Sequence, residues 1–164
     1  MMGVGKSTVG KRLAKKLKLK FIDIDQLIEN EEKNTIKVIF KKKGEDYFRK
    51  IEKRMTLEVL KKNDLVIALG GGAFMDASIR KEIDLSCISF WLDLNLNSLL
   101  LRLKNVKKRP LLDNNNLKKI INKIYSDRKK IYSKSNHRIK CDTISLEQTV
   151  TQIIKLYENT SNKI

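Results

Sequence analysis

The run Gly3-Val4-Gly5-Lys6-Ser7-Thr8 constrains this chain most, because it places two glycines, a lysine and two hydroxyl residues directly before an amphipathic segment, residues 9–17. A glycine-rich loop that opens a helix presents backbone N–H groups and the positive end of the helix dipole to an anion. Within such a loop, the Lys6 ammonium can reach terminal phosphates, and the Ser7 hydroxyl can ligate magnesium. The run therefore predicts a phosphate-binding site.

This loop matches the second half of the Walker A signature G-x-x-x-x-G-K-[ST], whose leading glycine would fall one residue before Met1. In that architecture the loop follows a buried strand. A parallel sheet without its middle strand would leave backbone groups unpaired along two neighbouring strands. We therefore expect the first, central strand to be truncated, with about ten apolar residues ending in glycine preceding Met1 in the native protein. The alternative is a chain that folds without this strand.

Length and charge narrow the class of protein. The 164 residues fit one domain with a real core. The net charge of +17 comes from 28 lysines against 8 arginines, spread over nearly every segment and not interleaved with aromatic residues. Because no stacking platform is visible, we expect no nucleic-acid partner. The charge should still attract anionic ligands.

The apolar segments are short, and none approaches the roughly 20 residues that span a bilayer. No signal peptide opens the chain, so we expect a cytoplasmic protein without a membrane partner. Cys87 and Cys141 lie in apolar segments without metal-binding spacing. Both are interpreted as reduced core residues.

Two acids follow the first helix, which is predicted from about Ser7 to Leu17. Residues 20–25 predict a short strand that ends in Asp23 and Asp25, and alternation along a strand would put both carboxylates on the same side. Beside a phosphate loop, such a pair can serve magnesium and a substrate hydroxyl. The alternative is that one acid caps the next helix, predicted over residues 26–31.

A long helix is predicted from Gly44 to about Lys62, after a short helix over residues 36–40 with Thr35 as N-cap. Its apolar stripe has helical spacing: Phe48, Ile51, Met55 and Val59. Arg49 and Glu52, three residues apart, can form an ion pair on an adjoining face. Taken alone, Arg49 is more often a solvated arginine than a ligand.

Three consecutive glycines, Gly70, Gly71 and Gly72, follow the apolar run of residues 65–69, which predicts a strand covered on both faces. Glycines at the end of a buried strand let backbone N–H groups approach a ligand closely. The alternative is a tight turn, which rarely needs three glycines. The chain has only seven glycines in all, so this cluster indicates a ligand site.

The second half continues with a strand over residues 87–92, a helix over 96–103 and a polar, basic loop at about 104–116. A loop of this length in a compact domain is typical of a lid that closes over phosphates and brings Arg109 to the transferring group. A plain solvated loop is the alternative. The whole chain, 1–164, is predicted to be a single domain with this lid.

The remaining elements are predicted from periodicity and capping. Residues 117–133 form a helix that offers four residues to the core: Ile120, Ile124, Ile131 and Tyr132. Residues 138–142 form a last strand, and Ser145 with Gln148 makes a capping box for the final helix. His137 has no evident partner and is interpreted as a surface residue.

These elements indicate an α/β fold, a P-loop NTPase-type parallel sheet with helices on both faces. Their motifs, in order and spacing, make the chain similar to the shikimate kinases over nearly its whole length. The matching stretches are G-V-G-K-S-T (3–8), F-I-D-I-D (21–25), G-E-x-x-F-R-x-x-E (44–52), G-G-G-A (70–73), R-P-L-L (109–112) and R-x-x-x-Y (128–132). Each motif alone is weak, but together they are specific.

The resemblance implies ATP-dependent phosphorylation of the shikimate 3-hydroxyl, with Mg2+, by a monomeric enzyme. It assigns catalysis to Lys6, Asp25 and Arg109, and magnesium to Ser7 and Asp23. It assigns ATP binding to Gly3, Val4, Gly5, Lys6, Ser7, Thr8, Arg102 and Arg109, and shikimate binding to Asp25, Arg49, Glu52, Gly71, Gly72 and Arg128. Two alternatives remain. One is a gluconokinase-like small-molecule kinase, which should lack the pair Arg49 and Arg128, and the other is a non-catalytic P-loop module that only binds nucleotide.

Overall fold

The computed structural model describes residues 3–104 and 114–161. The described chain divides into two compact units: the N-terminal unit, Lys6–Ile88, and the C-terminal unit, made of residues 3–5 and 89–161. Each unit combines helices with a two-stranded parallel sheet. Among the described helices, none is both long enough and apolar enough to cross a membrane.

The N-terminal unit alternates helices and strands. In chain order it contains α1 (Lys6–Leu17), β1 (Lys20–Asp23), α2 (Ile24–Glu32), α3 (Ile36–Leu60), β2 (Leu65–Ala68), a short 3-10 helix (Ala73–Met75) and α4 (Ala77–Ser86). In the parallel register of β1 and β2, Asp23 lies opposite Ala68. The carboxyl ends of the two strands therefore meet at one edge of this sheet, which brings Asp23 and the glycine run to the same end.

The core of this unit lies between α2 and α3. The predicted stripe of α3 is confirmed, and its four residues pack with buried isoleucines of α2 and α3 in one cluster: Ile24, Ile28, Ile39, Phe48, Ile51, Met55 and Val59. The two helices predicted on either side of Gly44 are one element with an interruption, because Gly44 has φ 81° and ψ 172°. Only glycine adopts a positive φ readily, so the kink falls there. The Phe40 and Phe48 rings pack across it, with centroids 4.7 Å apart.

Other details of this unit differ from the sequence-based predictions. Three of the four residues of β2 are partly exposed, although the apolar run predicted cover on both faces. Helix α4 was not predicted at all. Its signal was local, since Asp76 caps it by accepting the N–H groups of Ser78 (2.8 Å) and Ile79 (3.1 Å).

The C-terminal unit contains β3 (Phe90–Asp93), α5 (Leu96–Lys104), α6 (Asn114–Tyr132), β4 (His137–Lys140) and α7 (Leu146–Ser161). Strands β3 and β4 pair in parallel. The predicted capping box is confirmed: the Ser145 N–H donates to Gln148 Oε1 (2.8 Å), and the Gln148 N–H donates to Ser145 Oγ (3.2 Å). Residues 105–113, which hold Arg109 and most of the predicted lid, lie outside the described residues, and residues 114–116 open α6.

Two predictions in this unit are wrong. Ile120 is 42% exposed, and its neighbour Ile121 is buried instead, because one residue turns a helix face by about 100°. His137 is not an isolated surface residue: its Nε2 lies 3.0 Å from Thr160 Oγ1, and its ring stacks on Phe90 at 5.2 Å. Both cysteines are free thiols, Cys87 half-buried and Cys141 buried. Burial raises the pKa of the Cys141 thiol, which keeps it protonated.

Candidate active site

The glycines of the phosphate loop adopt conformations that other residues rarely take. Gly3 has φ +74° and Gly5 has φ +92°, both in the left-handed region. A Cβ at Gly3 would also come within 2.9 Å of the Leu103 side chain. Between them, Val4 is buried, and its carbonyl accepts a hydrogen bond from Arg102 Nη1 at 3.2 Å. Arg102, predicted to contact nucleotide, thus lies against this end of the loop within the C-terminal unit.

The other half of the loop belongs to the N-terminal unit, where Lys6, Ser7 and Thr8 form the first turn of α1. The Ser7 hydroxyl donates to Asp23 Oδ2 at 2.5 Å. The exposed Ser7 hydroxyl and the half-buried Asp23 carboxylate thus lie together beside the start of α1. Mg2+ binds few protein oxygens and completes its shell with water and substrate phosphates. These two groups fit that ion, although the described residues hold no cluster of three or more His, Cys, Asp or Glu that could bind a metal alone.

The acid pair is not arranged as the strand pattern predicted. Strand β1 ends at Asp23, and Asp25 lies in the first turn of α2. Asp23 is the N-cap of that helix, since its Oδ1 accepts the Asp25 N–H at 3.1 Å. The capping preference of aspartate and the full burial of Ile24 start the helix two residues earlier than alternation indicated. The prediction that strand geometry puts both acids on the same side is therefore wrong, and the capping alternative is confirmed.

The position of Asp25 changes its acidity. Burial raises the pKa of Asp25, the nearby Lys6 ammonium lowers it, and the Asp23 carboxylate raises it again, with a net upward shift. A carboxylate with a raised pKa is a better proton acceptor than an exposed one. Asp25 is therefore electrostatically suited to accept a proton from a substrate hydroxyl, beside the lysine of the phosphate loop.

Two of the three glycines after β2 make room for charged side chains. A Cβ at Gly70 would lie 2.8 Å from Asp25 Oδ1 and would overlap Glu52 Oε1. A Cβ at Gly72 would overlap Arg49 Nη1. The glycine run therefore brings Asp25, Arg49 and Glu52 to one corner of the N-terminal unit. Gly71, between them, is half-buried and has a contact of its own.

Arg49 lies between two carboxylates. Its Nη1 donates to Glu52 Oε2 at 2.5 Å, which confirms the predicted pair, and its Nη2 donates to Glu45 Oε1 at 3.0 Å. Partial burial opposes the charge of Arg49, but the hydrogen bonds to Glu52 and then to Glu45 raise its pKa. The Glu52 side chain is 3% exposed, whereas that of Arg49 is 37% exposed. The charged guanidinium of Arg49 is thus held by the buried Glu52 carboxylate and is still partly accessible to a ligand.

The described contacts join some predicted site residues and leave others apart. In the N-terminal unit, hydrogen bonds join Ser7 to Asp23, Asp23 to Asp25 and Arg49 to Glu52, the backbone at Gly70 and Gly72 packs against these side chains, and Lys6 acts electrostatically on Asp25. Arg128 lies half-buried on α6 of the C-terminal unit, and its joint action with Arg49 stays a prediction. Glu45 was not predicted as a partner of Arg49, and Gly70 was predicted only as a member of the glycine cluster, without a contact of its own. The i,i+4 spacing between Glu45 and Arg49 was the available signal for the first.

Comparisons with known proteins agree with this geometry. The family model described as Shikimate kinase matches residues 2–158. The chain is 44% identical to a shikimate kinase of Persephonella marina over 153 residues, which cover 93% of this chain and 92% of that protein. It is 38% identical to a shikimate kinase of Bacillus subtilis over 156 residues, or 94% and 83% of the two chains.

Solved structures show the same likeness. A shikimate kinase from Bacteroides thetaiotaomicron superposes with a TM-score of 0.89 at 29% identity, covering 96% of this chain and 94% of that one. A shikimate kinase from Acinetobacter baumannii, in complex with shikimate, also gives 0.89 at 32% identity, covering 99% and 90%. These likenesses confirm the predicted α/β fold of P-loop type. The motifs, the candidate site and the relatives of this chain together establish that it belongs to the shikimate kinase family.

Proposed function

We propose that this protein transfers the γ-phosphoryl group of ATP to the 3-hydroxyl of shikimate, giving shikimate 3-phosphate and ADP. The observation that carries the proposal is the corner formed by Gly70 and Gly72, where a fixed guanidinium lies beside an acid of raised pKa. Shikimate is a small acid with ring hydroxyls, so it needs an anion-binding group and a proton acceptor within one molecule's length. This corner supplies both.

The nucleotide is proposed to bind at the phosphate loop. Loop N–H groups and the α1 N-terminus face the phosphates, and Lys6 neutralises the terminal ones. Ser7 and Asp23 would hold Mg2+, which when bound neutralises charge on the β and γ phosphates. Arg102 is assigned to the adenine side, and Arg109 to the transferring group.

Chemistry is proposed to depend on Asp25. The 3-hydroxyl oxygen bonds to the γ-phosphorus as the bond from that phosphorus to the bridging oxygen of ADP breaks, and the hydroxyl proton passes to the Asp25 carboxylate. Because the transition state of phosphoryl transfer needs little covalent assistance, the main task of Asp25 is to orient the hydroxyl. Its raised pKa lets it take the proton late in the reaction.

Binding of shikimate is assigned to the two arginines and the glycine run. Arg49 and Arg128 bind the carboxylate, for which a planar guanidinium is well matched. The N–H groups of Gly71 and Gly72 contact the substrate, and Glu52 holds Arg49 in place. We further propose that the enzyme works as a monomer in the cytoplasm and without a nucleic-acid partner.

A coupled assay of ADP release tests the proposal, with shikimate and gluconate as parallel acceptors. We expect turnover with shikimate and none with gluconate. Turnover with gluconate would favour the gluconokinase alternative. Nucleotide binding without ADP release from either acceptor would favour the non-catalytic module.

A further inference from the structure

The Arg49 guanidinium donates three hydrogen bonds and has two further N–H groups. Nε and Nη2 both donate to Glu45 Oε1, at 3.2 Å and 3.0 Å, and Nη1 donates to Glu52 Oε2 at 2.5 Å. A guanidinium has five N–H groups. Within the described residues two are therefore left, one on each terminal nitrogen. Each of the two can donate to an oxygen of a substrate carboxylate.

The two carboxylates hold Arg49 in different ways. Glu52 is buried and anchors one terminal nitrogen, while the Glu45 side chain is 63% exposed and covers the opposite edge of the guanidinium with a single oxygen. One anchor alone would let the guanidinium plane rotate about the Nη1 contact. A second anchor on Nε and Nη2 fixes that plane.

The backbone explains why Glu45 can act as this second anchor. Gly44, with φ 81°, interrupts α3, so Glu45 stands in the first turn after the kink, where a negative charge is favoured by the helix dipole. Four residues later on the same face comes Arg49, in the orientation, acid before base, that stabilises helices best. The Arg49 guanidinium also lies 5.2 Å from the Phe48 ring centroid, which supports it from another side.

We propose that Glu45 is a positioning residue for the acidic substrate: it fixes the plane of Arg49 so that the two remaining N–H groups face the substrate carboxylate. This inference rests on the proposed function. The opposite role is also chemically possible, because Glu45 could act as an internal anion that the substrate must displace. The two roles predict opposite changes in KM, which makes them separable.

The geometry favours positioning over displacement. A substrate carboxylate can bind the two remaining N–H groups without breaking any bond seen here. Displacing Glu45 would first break the two charge-assisted hydrogen bonds that Arg49 donates to it.

The test compares Glu45→Ala with Glu58→Ala, which is a matched control. Glu58 is also exposed, and it also pairs at i,i+4 spacing on α3, with Arg54 at 3.3 Å. We expect Glu45→Ala to raise KM for shikimate by about tenfold, with kcat and KM for ATP within about twofold of the parent. Glu45→Gln, which keeps one acceptor oxygen, should fall between, and Glu58→Ala should match the parent.

Several results would overturn the inference. A KM for shikimate in Glu45→Ala equal to that of Glu58→Ala would remove the positioning role, and a lower KM would establish the displaced anion instead. Thermal unfolding of each variant controls for folding, and if Glu45→Ala melts below the assay temperature, the Glu45→Gln comparison decides. A parent enzyme inactive with shikimate would refute the proposed function itself, whereas an active parent with unchanged variants refutes only the role of Glu45.

Discussion

The pairs Arg49–Glu52 and Arg138–Asp93, one in each unit, have nearly the same geometry. Each joins a terminal guanidinium nitrogen to a carboxylate oxygen at 2.5 Å. In each, the carboxylate is buried, 3% and 6% exposed, and the arginine is 37% and 46% exposed. An ion pair of this kind is therefore not a sign of function by itself.

What surrounds the two pairs differs. Arg138 lies 4.8 Å from the Trp91 ring centroid, and Tyr125 donates its hydroxyl to Asp93 Oδ1 at 3.2 Å. Burial, and then the Asp93 carboxylate, raise the pKa of Tyr125, which keeps it a donor. Large side chains thus fill the space around that pair. Around Arg49 the neighbours are glycines: the backbone at Gly72 packs directly against the guanidinium, and that at Gly70 packs against Glu52, with no side chain between.

The largest contrast is expected when one acid of each region becomes an amide. Asp25→Asn should lower kcat by about 10²–10⁴-fold, because the charged group that orients the hydroxyl and takes its proton is lost. Asp93→Asn should leave kcat near the parent value and lower the free energy of unfolding by about 1.5–3 kcal/mol, since Arg138 donates to Asp93 Oδ2 through both Nε and Nη2. Steady-state assays and urea unfolding measure the two effects.

Asp25→Asn should also change how the stability of the protein depends on pH. Because the folded pKa of Asp25 is raised, the folded state binds its proton more tightly than the unfolded state does. The stability of the parent relative to Asp25→Asn is therefore highest below the ordinary aspartate pKa and falls as pH rises through the raised one. Thermal unfolding of both proteins from about pH 4 to about pH 8 measures the difference in stability between them, the gap. We expect Asp25→Asn to become more stable relative to the parent as the pH rises. A gap that moves toward the parent would contradict the burial of Asp25.

The next contrast removes the two arginines. Arg49→Ala should raise KM for shikimate by about a hundredfold and change KM for ATP much less, because a charge-assisted pair of bonds to the substrate is lost. Arg138→Ala should leave both KM values unchanged. Both variants leave a buried carboxylate without its arginine, so both should lose stability. Arg49→Lys keeps the charge and should still bind shikimate poorly. Equal KM changes in the two alanine variants would erase the distinction between the regions.

Local sequence patterns predicted the features that local physics decides. The α3 stripe, the Arg49–Glu52 pair at i,i+3 and the caps at Thr35 and Ser145 each follow from helix geometry within a few residues. The error at Asp25 arose between two local rules, where capping by Asp23 overrode strand alternation. The sequence pattern alone does not show which of these two rules decides the position of Asp25.

Long-range contacts explain the remaining misses. His137 contacts Thr160 and Phe90, which are 23 and 47 residues away, and no periodicity connects them. The space at Gly70 depends on where the chain folds Asp25 and Glu52, which the triple glycine alone does not show. The motifs of the family predict roles for Asp25 and Glu52 but do not give their contacts.

The glycines offer a smaller test of the close packing of backbone against Arg49. Gly72 has φ −106°, which alanine adopts easily, so Gly72→Ala changes space alone. Its Cβ would press on Arg49 Nη1, and we expect KM for shikimate to rise by about tenfold. Gly10→Ala is the control, because its Cβ would press on the Phe21 ring instead. It should lower stability by about 1–3 kcal/mol without changing KM for shikimate. A Gly72→Ala enzyme with the parent KM would show that Arg49 moves freely.

The smallest expected effect compares one helix cap from each unit. At the start of α3, the Val38 N–H donates to Thr35 Oγ1 at 3.4 Å and also to the Thr35 carbonyl at 2.9 Å. In Thr35→Ala the Val38 N–H can therefore still donate to the carbonyl of residue 35. At α7, the Gln148 N–H donates to Ser145 Oγ, and the Gln148 side chain returns the bond to the Ser145 N–H. Ser145→Ala should therefore cost about 1 kcal/mol in free energy of unfolding, and Thr35→Ala about 0.5 kcal/mol. Urea unfolding resolves the difference, and equal losses would mean that the reciprocal bond of the capping box adds nothing to the stability of this chain.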